Sequence, residues 1–369
     1  MMKRKRVPAR LALAGVLDGA LTLGVLLGAL TLGVLLGALV LPASAQSTEP
    51  ALRVCATVPD LGSLAREIGG DRVAVAVFAK GSEDPHFAEA RPSFVKELST
   101  CDLYLQVGLE LEAGWAPVLL QNARNARVLP GAPGYLDAAV AIAPLEVPVV
   151  PVDRSMGDVH PFGNPHYLLD PLNGLRAARV IHDRLADLDP ADRALFDARL
   201  ADFQQRLAVA LVGAPLARKY DFEKLALLHE HGRLGTFLRE QGDEGQLGGW
   251  LGAVLPFYGT KAVSDHKMWP YFAQRFGFVI TGFMEPKPGI PPTTRHLSEL
   301  VEQMRADGTR LVFAAAYYDT RHARFIAAET GARVLAMAHQ VGARPGTEDY
   351  LAMVDHNVRQ VVGALGARP

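Results

Sequence analysis

Residues 158–171 read DVHPFGNPHYLLDP, and the organisation of the chain follows from this stretch. Three prolines, with a glycine and an asparagine between them, exclude a continuous helix and predict a tightly shaped loop. A helix is expected directly afterwards, with Asp170 as its N-cap and Pro171 as its first residue. The loop would hold His160 and His166 rigidly, and a histidine held in this way is a candidate metal ligand. A role limited to hydrogen bonding is the alternative.

The composition is that of a folded protein with room for two domains of ordinary size. The chain has 369 residues, of which 49% are hydrophobic and 21% charged, and its formal net charge is −1. This charge balance gives no indication of nucleic-acid binding. The two cysteines, Cys55 and Cys101, are too far apart for a Cys-x-x-Cys motif, whereas 11 histidines make imidazole the abundant metal-binding group.

The N-terminal segment has the layout of a signal peptide. Basic residues in the first ten positions are followed by an apolar run to Leu41 and by an Ala-x-Ala sequence ending at Ala45. We therefore expect residues 1–45 to be removed on export. Residues 19–45 carry no charge and are long enough to span a bilayer, so an uncleaved anchor is the competing interpretation. Either way the working part lies outside the cytoplasm, where a disulfide between the two cysteines is chemically feasible.

Strand-like and helix-like segments alternate through both halves of the remaining chain. The predicted extended segments are residues 52–58, 73–78, 102–107, 126–129, 224–229, 262–265, 278–283, 311–316 and 334–337. Such alternation predicts mostly parallel sheets covered by helices on both faces. A long patterned helix at 189–217 separates the halves. The expected fold is α/β, with two Rossmann-like lobes, 46–188 and 218–369, joined by one long bridging helix.

Four histidines lie at the ends of predicted strands or in the loop at 158–171. His86 follows the second predicted strand, His266 and His339 follow strands of the second half, and His166 lies in the loop. In open α/β sheets, ligands bind beyond the carboxyl ends of the strands. Two of these residues belong to each lobe, so they can converge only in the cleft between lobes. Imidazole nitrogens suit Zn²⁺ in a tetrahedral site, although any one histidine alone would more often be structural.

Six short segments occur in a fixed order along roughly residues 53–364. They are DPH at 84–86, GLELE at 108–112, NPHYLLDP at 164–171, DHKMWPYF at 265–272, EPKPGIPP at 285–292 and ETGA at 329–332. As an ordered set they resemble the metal-specific solute-binding proteins of bacterial ABC importers, which deliver zinc or manganese. The resemblance implies the bridged two-lobe fold, with little lobe closure on binding.

The same resemblance implies that His86, His166 and His266 are metal ligands. The family typically takes a fourth ligand, Asp or Glu, from the loop after the last strand. That loop, residues 336–342, has no carboxylate here, and His339 is the best candidate for the position; Glu285 or a water molecule are the alternatives. A site of three or four imidazoles favours Zn²⁺ over Mn²⁺, which prefers more oxygen ligands.

Each ligating imidazole also needs an acceptor for its second nitrogen. The nearby carboxylates are Asp84, Asp170, Asp265 and Glu285. The sequence does not assign them to individual histidines. His160 is expected to be a hydrogen-bonded loop residue, with a weak second metal contact as the alternative.

The expected function is therefore capture of Zn²⁺ in the periplasm and its delivery to an ABC permease with its ATPase. The protein is expected to be a monomer without enzymatic activity, and a periplasmic metallochaperone as the source of the ion is left open. The alternatives are a manganese importer component, a secreted zinc-dependent hydrolase and an adhesin on the same scaffold. Neither His-Glu-x-x-His nor Gly-x-Ser-x-Gly occurs, which weighs against a hydrolase.

Overall fold

Two parallel β-sheets of four strands each form the framework of the structure. The computed structural model describes residues 52–150, 160–287 and 289–366. The first sheet contains β1 (Leu52–Ala56), β2 (Val73–Val77), β3 (Leu103–Gln106) and β4 (Tyr135–Asp137), and the second contains β5 (Lys261–Ser264), β6 (Val279–Phe283), β7 (Leu311–Ala314) and β8 (Arg333–Ala336). The strand orders, β2-β1-β3-β4 and β6-β5-β7-β8, are equivalent. The predicted α/β class with two parallel sheets is confirmed.

The two inner strands of each sheet, β1 and β3 in the first and β5 and β7 in the second, are short runs of mostly buried residues. In β1, Val54 is 1% exposed and Ala56 is fully buried, while Val263 of β5 and Val312 of β7 are also fully buried. The register places Val54 opposite Leu103 and Val263 opposite Val312. Parallel sheets need such strands because connecting helices cover both faces.

Helices connect and cover the strands. They are α1 (Pro59–Gly69), α2 (Pro92–Ser99), α3 (Ala116–Ala123), α4 (Pro171–Leu188), α5 (Arg193–Val212), α6 (Ala214–Lys219), α7 (Phe222–Glu230), α8 (Leu234–Gln241), α9 (Gly249–Val254), α10 (Pro270–Phe276), α11 (Thr294–Asp307), α12 (Thr320–Thr330) and α13 (Tyr350–Gly366). The predicted start of α4 is confirmed, since Asp170 Oδ1 accepts a hydrogen bond from Leu172 N at 2.9 Å and Pro171 is the first helical residue. Asp170 therefore fixes where the loop ends.

The long helix between the two halves is shorter than predicted. It is α5, with 20 residues, and it ends at Val212 because Gly213 has a φ of 82°, after which α6 begins as a separate helix. Helix α5 packs against α1 and α4 of the first half and against α7 and α9 of the second. A helix with contacts to both halves suits the predicted bridging role. The exact division of the chain at 189–217 stays a prediction.

Two predicted extended segments are wrong. Residues 224–229 belong to helix α7, whose N-cap Asp221 accepts hydrogen bonds from Glu223 N and Lys224 N. The run KLALLH contains no β-branched residue, so its short apolar pattern did not distinguish a strand from a helix. Residues 126–129 form a 3₁₀ turn at Ala126–Val128, and the fourth strand of the first sheet lies later, at β4.

Some expectations fall on parts of the chain outside the described residues. The predicted signal segment, 1–45, is one of them, and Asp158 and Val159 of the opening stretch are others. In the described ranges, none of the helices combines the length and apolar character needed to cross a bilayer. Cys55 and Cys101 are buried free thiols in the same apolar cluster of the first half.

Candidate metal centre

Three of the four predicted ligands, His86, His166 and His266, lie together. One ring nitrogen of each lies within 4.8 Å of those of the other two, and the ring centroids are between 5.1 and 5.9 Å apart. Among the described residues, no other set of three or more His, Cys, Asp or Glu side chains has this arrangement. His86 follows β2, His266 follows β5 and His166 precedes α4. The carboxyl ends of strands from both sheets therefore meet at this point.

His86 is fixed by its neighbour Asp84. Asp84 caps the short 3₁₀ helix Pro85–Phe87, and its Oδ1 accepts from His86 N at 3.0 Å and lies 2.7 Å from His86 Nδ1. Burial alone would raise the pKa of Asp84, but the hydrogen bond from His86 brings it below its ordinary value. Asp84 is thus a carboxylate that binds the proton-bearing Nδ1. His86 Nε2 is left with its lone pair free for another partner.

His266 is held in the same way from the second sheet. Its Nδ1 lies 3.0 Å from Glu285 Oε2, in the segment that follows β6. The adjacent carboxylate, Asp265, instead accepts from the backbone N–H groups of His266 and Ala315. Of the four candidate carboxylates, Asp84 and Glu285 therefore hold imidazoles, whereas Asp265 and Asp170 fix the backbone and other side chains.

Among the described residues, no carboxylate accepts a hydrogen bond from the His166 ring, and one buried ring nitrogen is open to a metal ion. Its backbone N–H donates to Asn164 Oδ1 at 3.0 Å, and the Asn164 amide also donates to Lys267 O at 2.6 Å, next to His266. His166 Nε2 is buried and makes no hydrogen bond in the structure. Burial, together with His86 and His266, keeps the pKa of His166 well below its ordinary value. A neutral imidazole with an unpartnered buried nitrogen fits a metal ion as its missing partner.

His160 is closer to this group than the sequence suggested. Its Nε2 lies 3.1 Å from His86 Nε2, and the two rings stack with centroids 5.2 Å apart. Burial and the neighbouring His86 and His266 lower the pKa of His160 to about 3. The only sequence signal was its position in the loop that carries His166. A distance to a residue 74 positions away cannot be read from that position.

His339 lies outside the group of three. Its Nε2 is 3.1 Å from the carbonyl oxygen of Glu83, and its buried Nδ1 has no hydrogen-bond partner within the described part of the chain. Burial lowers the pKa of His339 to about 4. A cavity of about 30 Å³, roughly the volume of one water molecule, is lined by His339, His166, Gln340, Asp60 and apolar residues. Glu285, the other protein alternative, accepts from Gly289 N as well as facing His266.

The chain matches one family model over most of its length. The model describes the periplasmic component A of a zinc-uptake complex (ZnuA) and matches residues 54–229 and 252–364. A manganese ABC transporter substrate-binding lipoprotein, PsaA of Streptococcus pneumoniae, is 21% identical over 87% of this chain and 91% of that protein. The high-affinity zinc uptake system protein ZnuA of Yersinia pestis is 24% identical over 71% of this chain and 74% of that protein.

Solved structures share the fold. A crystal structure of ZnuA superposes with a TM-score of 0.63 at 24% identity and covers 85% of this chain and 99% of that chain. A manganese-bound periplasmic metal binding protein from Candidatus Liberibacter asiaticus has a TM-score of 0.58 at 17% identity, with the same coverage. These identities establish a common architecture and leave the bound metal open.

Proposed function

Because the chain belongs to the ZnuA family of periplasmic metal-uptake components, we propose that it captures Zn²⁺ outside the cytoplasm and delivers it to an ABC importer. The family consists of substrate-binding parts of transporters and not of enzymes. The ion is therefore cargo: the site needs to bind and release it, and no substrate position has to stay open on the metal.

One observation carries this proposal: three imidazoles from distant parts of the chain converge, and two of them are oriented by carboxylates. Asp84 and Glu285 occupy Nδ1 of His86 and His266, which directs Nε2 of each to other partners. Zinc-binding histidines characteristically donate their second ring nitrogen to such a carboxylate. The lowered pKa of His166 also keeps that ligand neutral at neutral pH. All three side chains are thus prepared for a cation.

The donor atoms support zinc over manganese. Imidazole nitrogens suit Zn²⁺, whereas Mn²⁺ is favoured by carboxylate, carbonyl and water oxygens. The two carboxylates nearest the site face imidazoles, and relatives named for each metal match the chain. Manganese binding is therefore the alternative, and it would require Glu285 to turn from His266 toward the ion.

We further propose His160 as the fourth ligand. Two nitrogens bound to one tetrahedral Zn²⁺ at 2.0–2.1 Å lie about 3.3–3.4 Å apart. The 3.1 Å between Nε2 of His160 and Nε2 of His86 is close to that separation. Since His86 Nδ1 bears its proton, the proton between the two Nε2 atoms belongs to His160. Moving it to His160 Nδ1 would free the position for the ion. His339, Glu285 and water are the remaining alternatives.

The partners follow from the family. We propose an ABC permease and its ATPase as the recipients of the ion, with a periplasmic metallochaperone as an open question for its source. The layout of residues 1–45 supports export by a cleaved signal peptide to the periplasm, where we propose that the protein acts as a monomer. The net charge of −1 gives no reason to expect nucleic acid among the partners.

A metal titration tests the proposal. The chain from Gln46 onward is stripped with a chelator and titrated with Zn²⁺ and Mn²⁺ in parallel, each in competition with a chromophoric chelator. We expect tight binding of one Zn²⁺ per chain and much weaker binding of Mn²⁺. Comparable binding of Mn²⁺ would overturn the zinc assignment. Tight binding of neither metal would overturn the metal-capture function itself.

A further inference from the structure

The loop that carries His86 is bound by side chains from the other half of the chain. The carbonyl oxygen of Glu83 lies 3.1 Å from His339 Nε2 and accepts a hydrogen bond from Gln340 Nε2, also at 3.1 Å. Both residues follow β8 of the second sheet, whereas Glu83 follows β2 of the first. One backbone carbonyl therefore receives two donors from the opposite lobe.

The backbones of the two loops are also in close contact. A Cβ atom on Gly81 would lie 2.2 Å from the carbonyl oxygen of Val341 and 2.7 Å from Ala343 N. No side chain fits there, so only glycine permits this approach. On the other side of the second-half loop, Val341 N donates to the buried carboxylate of Asp60 at 3.3 Å. Residues 339–343 are thus held between the start of α1 and residues 81–83.

Two residues, Asp84 and Pro85, separate Glu83 from the proposed ligand His86, and both are restrained. Asp84 follows Glu83 directly, and its Oδ1 binds both the backbone N–H and the Nδ1 of His86. Pro85 adds a fixed φ, and its carbonyl accepts from Trp115 Nε1 at 3.0 Å. A shift of the Glu83 carbonyl would therefore move the His86 imidazole.

Resting on the proposed metal site, we propose that His339 and Gln340 are positioning residues that set the geometry of His86 from the opposite lobe. His339 Nε2 carries a proton to the Glu83 carbonyl, so this nitrogen is not offered to an ion. After donating, His339 Nδ1 and Gln340 Oε1 each remain buried, and neither has a hydrogen-bond partner among the described residues. Such unpaired polar atoms are costly, and apolar side chains would avoid them. The hydrogen bonds that both side chains do make are the two to the Glu83 carbonyl.

The test separates positioning from ligation and from simple packing. Variants Gln340→Leu, His339→Leu and His339→Gln are compared with Gln303→Leu, in which an amide bound to the Thr281 carbonyl is lost on the exposed side of the same lobe. Zn²⁺ affinity is measured by chelator competition, and the visible spectrum of the Co²⁺-saturated protein reports the number and type of ligands. Circular dichroism confirms that each variant folds.

We expect Gln340→Leu and His339→Leu to weaken Zn²⁺ binding by roughly 10–100-fold, as loss of the groups that orient a metal ligand does. The Co²⁺ spectra at saturation should be unchanged. His339→Gln, which keeps an N–H donor, should lose less than His339→Leu, and Gln303→Leu should bind like the unaltered protein. Unchanged affinity in folded Gln340→Leu and His339→Leu would overturn the proposal. So would an altered Co²⁺ spectrum in His339→Leu, which would make His339 a ligand. Failure of the unaltered protein to bind would instead refute the metal-capture function.

Discussion

Arg275 donates from Nε and Nη2 to the two carboxylate oxygens of Asp170, at 2.8 and 2.9 Å, and both side chains are buried. Asp170 caps α4, shortly after His166, while Arg275 lies on α10, shortly after His266. The pair therefore joins the segments that follow two proposed ligands. A bidentate geometry of this kind fixes orientation as well as distance.

Replacing Arg275 should be strongly destabilising. Arg275→Met leaves the Asp170 carboxylate buried without its cation, and breaking a buried pair in this way costs about 3–5 kcal/mol. Urea denaturation of the metal-free protein measures the loss. The matched control is Arg295→Met, which breaks an exposed pair with Glu299 on α11 and should cost well under about 1 kcal/mol. Equal losses in the two variants would mean that the buried pair has no special role.

Asp84 should control metal affinity through His86. Asp84→Asn removes the negative charge next to Nδ1 and makes the imidazole a weaker donor to the ion, so we expect Zn²⁺ affinity to fall roughly 10–100-fold. Chelator competition provides the measurement. Glu83→Gln is the control, because the Glu83 carboxylate binds Lys80 and no histidine. A drop of similar size in the control would show that general negative charge, and not the hydrogen bond, is responsible.

His160 should behave as a ligand. His160→Ala is expected to reduce Zn²⁺ affinity by at least the roughly 10–100-fold typical of an outer-shell loss, and to change the Co²⁺ spectrum at saturation because water replaces a nitrogen. The control is His231→Ala, which removes an exposed histidine directly after α7 and should leave both the affinity and the spectrum unchanged. An unaltered Co²⁺ spectrum in His160→Ala would return the fourth position to His339, Glu285 or water.

The buried His339 should make the metal-free protein sensitive to acid. Its pKa is about 4 in the folded state against 6.5 ordinarily, so between these values the unfolded chain binds a proton that the folded chain does not. Stability from this group is complete above pH 6.5 and falls as the pH drops toward 4. Two buried carboxyl groups change stability in the opposite direction with pH, since burial raises the pKa of Asp60 and of Glu112 to about 7.

A comparison with His339→Gln isolates the contribution of His339 to the pH dependence of stability, because glutamine does not titrate. From pH 7.5 to pH 5 the unaltered protein should lose about 2 kcal/mol relative to the variant, which follows from about 1.4 kcal/mol per pH unit below 6.5. Urea unfolding at both pH values in the presence of a chelator gives the two differences. A gap that does not change with pH would show that His339 titrates alike in both states.

The sequence was sufficient for the parts of the structure that local chemistry determines. The Asp170-Pro171 start of α4 could be predicted because capping needs one side chain and one fixed φ. Helix α7 could not, since the run at 224–229 is apolar and short, and its helical state depends on packing against α5, α8 and α10. Periodicity alone does not carry that information.

The candidate site could likewise be predicted only in part from the sequence. His86, His166 and His266 could be proposed together because each lies at a strand end or in the rigid loop. The nearness of His160 to His86, and the attachment of His339 to Glu83, depend on how loops that are 74 and 256 positions apart in the chain fit together. Sequence spacing does not predict such contacts. The segment at 338–340 identified a histidine but not the group that its side chain would contact.

The wide spacing of positions 86, 166 and 266 determines when the proposed metal site forms during folding. Closing such long loops costs entropy that is repaid only after both sheets have formed and docked. A chain whose second half has not yet folded therefore cannot bring His266 next to His86 and His166, so it lacks the proposed site of three histidines. At the proposed site, ion capture is therefore a late event that requires completed folding of both halves.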